Sequence, residues 1–352
     1  MAPGFPQRRE RSIDARERTV AAIAAVQHDD GCIPWFPGGH ADPWDLNEAA
    51  MALDAGGRHD AARAAYSWLA RLQRPDGAWA AAYRGGSAID PTLDANFCAY
   101  VAVGIWHHYL FTGERDWLQR MWCVVERAID FAIELQDVTG AVFWARDAHY
   151  RAWPGALLTS SSCIHLSVRC ALAIADELGA QRPDWELSLS HLADAIAHRP
   201  DAFEPKDRFA MDWYYPVLGG SVTGSEASER IAERWNEFVV EGWGVRCVND
   251  QPWVTTGETA ELALTLMTIG AEEEAAALLG WIGRLRAGDA SYWAGATFPD
   301  GVIWPREKPT WGSGAVLLAS SALACDGPTG GLFKGQGLPR ALDLSDVLAD
   351  PL

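Results

Sequence analysis

Three acidic residues in this chain have the residue type and the setting that acid–base chemistry requires. Asp212 and Glu258 lie beside aromatic residues at the start of apolar segments, and Asp94 lies within an otherwise apolar segment. A carboxylate among aromatic rings has a raised pKa, which a general acid needs near neutral pH. We therefore predict that Asp94, Asp212 and Glu258 are catalytic.

Each of these residues also has a structural alternative. Asp90-Pro91 fits an N-cap followed by the first helical position, which places Asp94 inside the helix, where an unpaired carboxylate is costly. Asp212 could cap a helix beside core aromatics. Thr255 and Glu258 have the spacing of a capping box.

A second acidic group occurs in the segment "DPWDLNEAA", where Asp42, Asp45 and Glu48 fall within two helical turns. Asp45 and Glu48 again have capping-box spacing, which favours a structural role. Trp44 beside these acids favours a loop that faces a ligand. For this segment we predict substrate binding rather than catalysis.

The chain contains 18 Trp, more than a core requires, and several lie in loops beside carboxylates. A Trp in such a place is commonly a flat surface on which a ligand stacks, although packing is the competing use. The residues that we predict to contact substrate are Trp35, Trp44, Glu48, Asn96, Trp144, Asp147, Trp213, Tyr214, Tyr215, Trp253, Trp293 and Trp311.

The elements that must position these residues repeat along the chain. A turn with an aromatic residue recurs, as in "QHDDGCIPW", "QRPDGAW" and "QDVTGAVFW", and looser copies follow. Each turn leads into a helix rich in small apolar residues, which suits a helix enclosed on all sides. Alternate helices carry an Arg and Glu stripe, which suits an outer layer. The enclosed helices are predicted to begin near Asp45, Pro91, Ala156, Asp212, Gly257 and Thr310.

Six inner and six outer helices predict an all-α protein, an (α/α)6 toroid over residues 12–326 with little β-structure. Residues 1–11 are predicted to form an N-terminal arm. Residues 327–352 are Gly/Pro-rich and acidic, which indicates an extended or partly disordered tail. The N-termini of the inner helices converge at one end, so the candidate residues should meet there.

Composition excludes several partners. The chain has 29 Lys+Arg against 47 Asp+Glu, a net charge of −18, so nucleic acid and anionic membranes are unfavourable partners. The seven Cys form no C-x-x-C pair, which indicates reduced thiols and a cytoplasmic location. His107 and His108 are adjacent on a helix and point apart, and the other His lack ligand spacing, so neither a metal nor a cofactor is predicted. The oligomeric state is left open.

The element Gln73-x-x-Asp76-Gly77-x-Trp79 resembles the Q-x-x-D-G-x-W element of squalene and terpene cyclases, whose toroid relatives include prenyltransferase β-subunits. In that family the element is structural. Over roughly residues 12–326 the chain also resembles six-hairpin glycosidases, in which the inner-helix N-termini and the preceding loops form the substrate cavity. This resemblance implies a carbohydrate-active enzyme with a small-molecule or oligosaccharide substrate.

A glycoside hydrolase with paired carboxylates is therefore the first hypothesis. Carboxylates on non-adjacent inner helices leave room for a water, which favours inversion at the anomeric carbon. An isoprenoid enzyme is the second hypothesis, although the chain lacks the D-x-D-D and D-D-x-x-D motifs. The third is a non-catalytic sugar-binding toroid, or an epimerase that uses His.

Overall fold

A computed structural model describes residues 5–147, 149 and 151–342, with side chains from residue 15 onward. Two short 3-10 segments, Pro200–Ala202 and Ile282–Leu285, accompany the α-helices. The α-helices are α1 (Phe5–Ala24), α2 (Pro43–Ala55), α3 (His59–Leu72), α4 (Ala95–Ala99), α5 (Val101–Thr112), α6 (Arg115–Ile133), α7 (Leu158–Leu178), α8 (Pro183–His198), α9 (Ala210–Leu218), α10 (Gly224–Glu233), α11 (Trp235–Phe238), α12 (Thr256–Thr268), α13 (Glu272–Trp281), α14 (Thr310–Ala324) and α15 (Thr329–Phe333).

The inner helices form a closed ring. Helix α2 packs against α5, α5 against α7, α7 against α9, α9 against α12, α12 against α14, and α14 against α2 again. Helices α1, α3, α6, α8, α10 and α13 form the outer layer. The chain is therefore an all-α (α/α)6 toroid, as the periodicity predicted. By length and composition α7 could cross a membrane, but 89% of its most apolar window is buried in the ring.

Small residues let the inner helices approach closely. A Cβ on Gly104 of α5 would lie 2.2 Å from Oδ1 of Asn47 on α2. A Cβ on Gly257 of α12 would lie 2.2 Å from the ring of Trp311 on α14. Both distances are shorter than real contacts, so glycine at these positions determines how tightly the ring closes.

The few strands lie in the loops that precede inner helices. They are β1 (Ala82–Arg84), β2 (Ser87–Asp90), β3 (Leu93–Asp94), β4 (Ala145–Arg146), β5 (Val239–Val240), β6 (Gly244–Arg246), β7 (Trp253–Thr255) and β8 (Gly295–Thr297). Strand β1 pairs with β2 and β3 with β4, and β5 to β8 form one antiparallel sheet in chain order.

Backbone hydrogen bonds join these loops into a second closed ring, because each loop bonds to the next. The bonds run between Ala41 and Tyr83, Ala95 and Trp144, Glu204 and Ala156, Ala210 and Cys247, Thr256 and Ala294, and Thr310 and Trp35. The last of them returns from the final inner helix to the first loop. The N-terminal ends of all six inner helices are thereby held around one mouth.

The second inner helix begins later than the sequence predicted. Asp90 lies in β2, is exposed, and accepts a hydrogen bond from the Thr92 amide rather than capping a helix. Helix α4 begins at Ala95, and Asp94 is its N-cap. The start near Pro91 is therefore wrong, because the β1–β2 hairpin extends the loop to Asp90.

The repeated turn has a common structural purpose. In each of its three clear copies a Gln side-chain amide donates to a carbonyl of its own turn and to a carbonyl of the next outer helix. These bonds join Gln27 to Gly31 and Ala61, Gln73 to Gly77 and Val124, and Gln136 to Gly140 and Ser188, at 2.8–3.0 Å. The Gln therefore ties each hairpin to the following one.

We expect Gln73→Met to lower the free energy of unfolding by about 2 kcal/mol, because two carbonyl oxygens would lose their donor. Urea denaturation followed by circular dichroism measures the change. Gln119→Met on the exposed face of α6 is the matched control. Equal stability of the two variants would show that the Gln73 amide does not stabilise the contact between neighbouring hairpins.

The ends of the chain extend the fold. Helix α1 begins at Phe5, so part of the segment predicted as an arm is helical. In the predicted tail, α15 packs on α12 and α14, and buried Thr329 bonds to Nε2 of His107 at 2.9 Å. This part of the tail is ordered structure that covers the C-terminal end of the ring. Residues 343–352 of the predicted tail lie outside the described residues.

Candidate active site

The first acidic group at the mouth is built on the N-terminus of α2. Asp42 is its N-cap and accepts hydrogen bonds from the Asp45 amide at 2.9 Å and from Nε1 of Trp35 at 2.5 Å. The cap is therefore Asp42, and the predicted capping box of Asp45 and Glu48 is wrong. Neither of those side chains caps the helix.

Asp45 carries the features of a proton donor. Its carboxyl group shares a hydrogen bond with Asp42, and its side chain is partly exposed at the mouth. Burial, and then the charges of Asp42 and Glu48, raise the pKa of Asp45 well above its ordinary value. The hydrogen bonds that Asp42 accepts from Trp35 and from a backbone amide favour its ionised form, so the proton of the pair is favoured on Asp45.

Glu48 and Glu261 bring a second pair of acids together across the ring. Glu48 of α2 is 4% exposed, and burial followed by the charge of Glu261 raises its pKa well above the usual range. Glu261 of α12 accepts hydrogen bonds from the hydroxyl groups of Tyr214 and Tyr215, the latter at 2.6 Å. Burial raises the pKa of Glu261 from 4.5 to about 8 despite these two donors. Burial therefore favours the protonated form of Glu261, and a charge on Glu261 disfavours ionisation of Glu48.

We expect the free energy of unfolding to fall as the pH rises from about 5 to 8. In this window Glu261 is ionised in the unfolded chain but protonated in the folded one, so folding binds a proton. Its stabilising effect is complete below pH 4.5 and is lost as the pH passes about 8. Urea denaturation at each pH measures the slope.

Glu261→Gln, which has no proton to lose, should make that slope less steep, and the other acids with raised pKa values account for the slope that remains. Exposed Glu307→Gln is the control for the removal of one carboxylate. An unchanged slope in Glu261→Gln would contradict the assignment.

Glu258 lies one helical turn before Glu261 on the same face of α12. It is 6% exposed, accepts a hydrogen bond from the Thr255 hydroxyl, and is hydrogen-bonded to the Cys247 thiol. Thr255 is the N-cap residue, but its side chain caps no backbone amide. The predicted capping box is therefore replaced by a contact between the two side chains.

Asp94 lies at the mouth as the N-cap of α4, where it accepts from the Phe97 amide at 3.1 Å. Burial raises the pKa of Asp94 from 3.8 to about 7, and the nearby charge of Asp42 adds to the effect. Asp94 is therefore a neighbour of the α2 acids, although one oxygen is used to cap the helix.

Asp212 has a different environment. Its carboxylate accepts from the Thr159 hydroxyl of α7 at 2.6 Å. Pro216 lies inside α9 and has no amide hydrogen for the Asp212 carbonyl, and Arg230 supplies the donor instead at 2.8 Å. Burial raises the pKa of Asp212, whereas the hydrogen bonds from Thr159 and the positive charges of Arg230 and Lys206 lower it.

Several predicted aromatic residues surround the acidic groups. Trp44 contacts the rings of Phe97, Tyr100 and Tyr215 at 5.7–6.1 Å, and Trp35 contacts Trp311 at 6.5 Å. The indole Nε1 of Trp311 and the amide Oδ1 of Asn96 are buried without a partner among the described residues. Such atoms are satisfied when a polar ligand or water occupies the site.

Further Trp residues extend the aromatic surface along the mouth loops. Trp144 contacts Trp153 at 5.4 Å, and Trp253 contacts Trp304 at 5.1 Å. Trp153 and Trp304 are 46% and 57% exposed. Trp293 is partly exposed in the last loop, and its carbonyl accepts from Thr256 at the start of α12.

Two predicted binding residues serve the fold in the structure. Trp213 is 1% exposed, stacks on Phe238 at 5.2 Å and donates to the Arg230 carbonyl, so it packs between α9 and the outer layer. Asp147 accepts from Arg151 and from the His149 amide, which locks its own loop.

One group of possible metal ligands lies away from the mouth, at the C-terminal end of α2. Nδ1 of His59 and Nδ1 of His108 lie 2.9 and 2.8 Å from Oδ1 of Asp54, and the ligand atoms all lie within 4.8 Å of one another. His107 bonds elsewhere, as its adjacent position predicted. The sequence predicted that the other His lack the spacing of metal ligands. That prediction overlooked His59, which the fold brings close to His108 although the two are far apart in the chain.

Sequence reasoning did not place Asp45 or Glu261 among the catalytic candidates. Asp45 was assigned to a cap because its spacing to Glu48 fits one. Glu261 lies 213 residues after Glu48, and only ring closure brings them together. The available signal was the i, i+3 repetition of acids on two apolar helices, Asp45 and Glu48, then Glu258 and Glu261.

Comparison with known proteins adds to this geometry. No protein-family model matches the chain. The MMP endo-(1,4)-3-O-methyl-alpha-D-mannosidase of Mycolicibacterium hassiacum is 48% identical over 326 residues, which cover 93% of this chain and 90% of that protein. None of the relatives named here is an isoprenoid enzyme.

Solved structures with low sequence identity share the fold. A glycosidase variant in complex with glucose has a TM-score of 0.73 at 14% identity and covers 91% of this chain and 99% of its own. A mannosylglycerate hydrolase from Thermus thermophilus has a TM-score of 0.69 at 13% sequence identity, and the match covers 86% of this chain and 99% of that protein. A D-mannose isomerase has a TM-score of 0.65 at 12% sequence identity, and the match covers 88% of this chain and 97% of that protein.

The length and identity of the first of these matches, together with the acids and aromatic residues at the mouth, establish the class of the protein. The chain belongs to the family of the MMP endo-(1,4)-3-O-methyl-alpha-D-mannosidase and is a glycoside hydrolase.

Proposed function

We propose that this glycoside hydrolase cleaves internal α-(1,4) linkages of a 3-O-methylmannose polysaccharide. The supporting observation is the 48% identity to an enzyme named for that substrate over 93% of this chain. A methylated, uncharged sugar suits the mouth, because methyl groups can pack on Trp faces. An uncharged substrate is also not repelled by the net charge of −18.

We propose Asp45 as the general acid. Its shared proton, raised pKa and partial exposure support donation to the glycosidic oxygen, whose bond to the anomeric carbon then breaks. Asp42 holds the carboxyl group in place and receives no proton from substrate. After the step Asp45 is ionised and the leaving sugar carries the proton.

We propose Glu258 as the general base. It takes a proton from the water that attacks the anomeric carbon, so that one proton is donated and one is taken up in each turnover. Thr255 and the Cys247 thiol hold its carboxylate. Glu261 is less suited to this role, because burial raises its pKa to about 8 and two Tyr hydroxyls occupy its oxygens.

The substrate test is an incubation with 3-O-methylmannose oligosaccharides, followed by mass spectrometry of the products. Shorter oligosaccharides as first products support internal cleavage. Unmethylated α-(1,4)-mannan and α-(1,4)-glucan fragments are the controls, and prenyl diphosphates test the isoprenoid alternative. Equal rates on methylated and unmethylated chains, or release of single sugars from one end, would overturn the proposal.

We expect the first product to have the inverted anomeric configuration. The proposed acid on α2 and the proposed base on α12 are separated in the ring by α14. Carboxylates on non-adjacent helices leave room for a water between them, which is the arrangement of inverting enzymes. Proton NMR within the first minutes of hydrolysis distinguishes the α from the β anomer before mutarotation. A product that appears first as the α anomer would indicate retention and a closer pair of carboxylates.

A further inference from the structure

A cavity of about 660 Å³ opens at the end of the toroid opposite the mouth. It lies beside the C-terminal ends of α9 and α12, and the chain after α15 forms one of its walls. Two Arg, one Lys and one His line it, and among the described residues that line it there is no Asp or Glu. In a chain with a net charge of −18, this basic pocket has the opposite sign to the rest of the protein.

Arg169 forms the floor of the basic pocket. It is 7% exposed, and its Nε donates to the Pro339 carbonyl at 2.8 Å. Within the described part of the chain, its two terminal nitrogens have no hydrogen-bond acceptor and no carboxylate. A buried guanidinium without a carboxylate is unfavourable, and two free N–H edges match an oxyanion.

At two glycines the backbone approaches that guanidinium closely. A Cβ on Gly220 would lie 2.6 Å from Nη1 of Arg169, and a Cβ on Gly335 would lie 2.7 Å from Nη2. Both residues have φ near +70°, which also favours glycine. A larger residue at either position would displace Arg169, and among the described residues the backbone there supplies no acceptor for its terminal nitrogens.

Helix α10 adds a second, independent feature. It is 10 residues long and begins at Gly224, in the wall of the pocket, and its N-cap Thr223 makes no capping hydrogen bond. Its first amides therefore remain free to bind an anion, and its dipole favours negative charge there. The hydroxyl groups of Thr223 and Ser225 line the same wall.

Lys334 and Arg340 complete the pocket from the C-terminal segment. Both are exposed, and neither forms a salt bridge within the described residues. Burial lowers the pKa of His165 to about 4, although its Nδ1 donates to the Gly219 carbonyl at 2.9 Å, so His165 adds no positive charge to the pocket at neutral pH. Three positive charges and one helix N-terminus therefore face the same space.

We propose that the basic pocket binds the phosphate group of a small organic monoester, with Arg169 and the N-terminus of α10 below it and Lys334 and Arg340 above. A phosphate carries close to two negative charges at pH 7, and its oxygens can accept from all these directions. The volume exceeds that of a bare phosphate, which leaves room for the organic part.

Calorimetric titration with inorganic phosphate at constant ionic strength tests the proposal. We expect saturable binding to the wild-type chain and at least tenfold weaker binding to Arg169→Gln. Lys334→Gln/Arg340→Gln should also weaken binding, and because both side chains are exposed, this variant does not depend on a buried contact. Arg151→Gln in a mouth loop, which is exposed and far from the pocket, should bind as the wild type does.

Trypsin gives a second measurement, because it cleaves after Lys334 and Arg340. Phosphate should slow cleavage at these bonds in the wild type but not in Arg169→Gln. An absence of saturable binding, or equal affinity in all variants, would overturn the proposal. The proposal would also be overturned if phosphate bound only to a variant in which Asp343, Asp346 and Asp350 are changed to Asn. In that case the carboxylates of the chain itself would be the groups that compete for the pocket.

Discussion

Asp45→Asn should hydrolyse the oligosaccharide about 10³-fold more slowly than the wild type, with little change in KM. The amide keeps the shape of the side chain and its contact with Asp42 but has no acidic proton, and general acid catalysis contributes about 10²–10⁴-fold. Initial rates by reducing-end assay, with circular dichroism to confirm folding, measure the effect.

An aryl glycoside with a very acidic leaving group separates chemistry from folding. Its departure needs no proton, so Asp45→Asn should recover most of the lost rate on it, whereas Glu258→Gln should remain slow on both substrates. Because we propose Glu258 as the base that activates water, we expect Glu258→Gln to show a similar 10²–10⁴-fold reduction in rate.

Asp94→Asn and Asp212→Asn belong in the same series. The sequence placed all three acids Asp94, Asp212 and Glu258 in catalysis, and the amide variants compare those roles directly with that of Asp45. If Asp212→Asn loses activity by orders of magnitude while Asp45→Asn keeps it, the acid lies on α9 rather than on α2. If neither changes turnover, the donor is Asp94 or Glu48.

Gly77→Ala should lower the free energy of unfolding by about 3 kcal/mol or more. Gly77 has φ +86°, and a Cβ there would lie 2.0 Å from the Arg127 carbonyl oxygen of α6. The variant therefore adds a steric clash with backbone to an unfavourable conformation. Urea denaturation of the full chain measures it.

Gly57→Ala is the matched control. Gly57 has φ +72°, but a Cβ there would have no atom within 4 Å. Only the cost of a positive φ at a residue with a Cβ remains, and we expect the free energy of unfolding to fall by about 1 kcal/mol. The difference between the two variants therefore measures the close approach of the turn to α6. Equal losses would show that α6 moves away without a penalty.

The helical architecture could be predicted from the sequence because its causes are local. Small apolar residues on all faces mark inner helices, and an Arg and Glu stripe marks outer ones. The Gln of each turn recurs at a constant distance from its Gly. These patterns depend on residues within about one helical turn of one another, so periodicity alone identifies them.

Part of the site could also be predicted from local patterns. Glu258 and Asp94 were identified because a carboxylate on an enclosed helix is conspicuous without any partner in view. Trp35, Trp44 and Trp311 were placed at the mouth because they precede or begin inner helices. Trp213 has the same sequence context, yet α10 and α11 provide its neighbours, and those contacts cannot be deduced from the chain order.

The sequence by itself therefore determined the alternating helices, their inner and outer faces and the end of the ring at which acids and aromatic residues gather. Only the tertiary structure decided that Asp42 caps α2, that burial and neighbouring charges raise the pKa of Asp45, and that Glu48 meets Glu261 across the ring. The physical reason is that a raised pKa depends on burial and on charges from distant helices, whereas spacing along one helix is the same for a cap and for an acid.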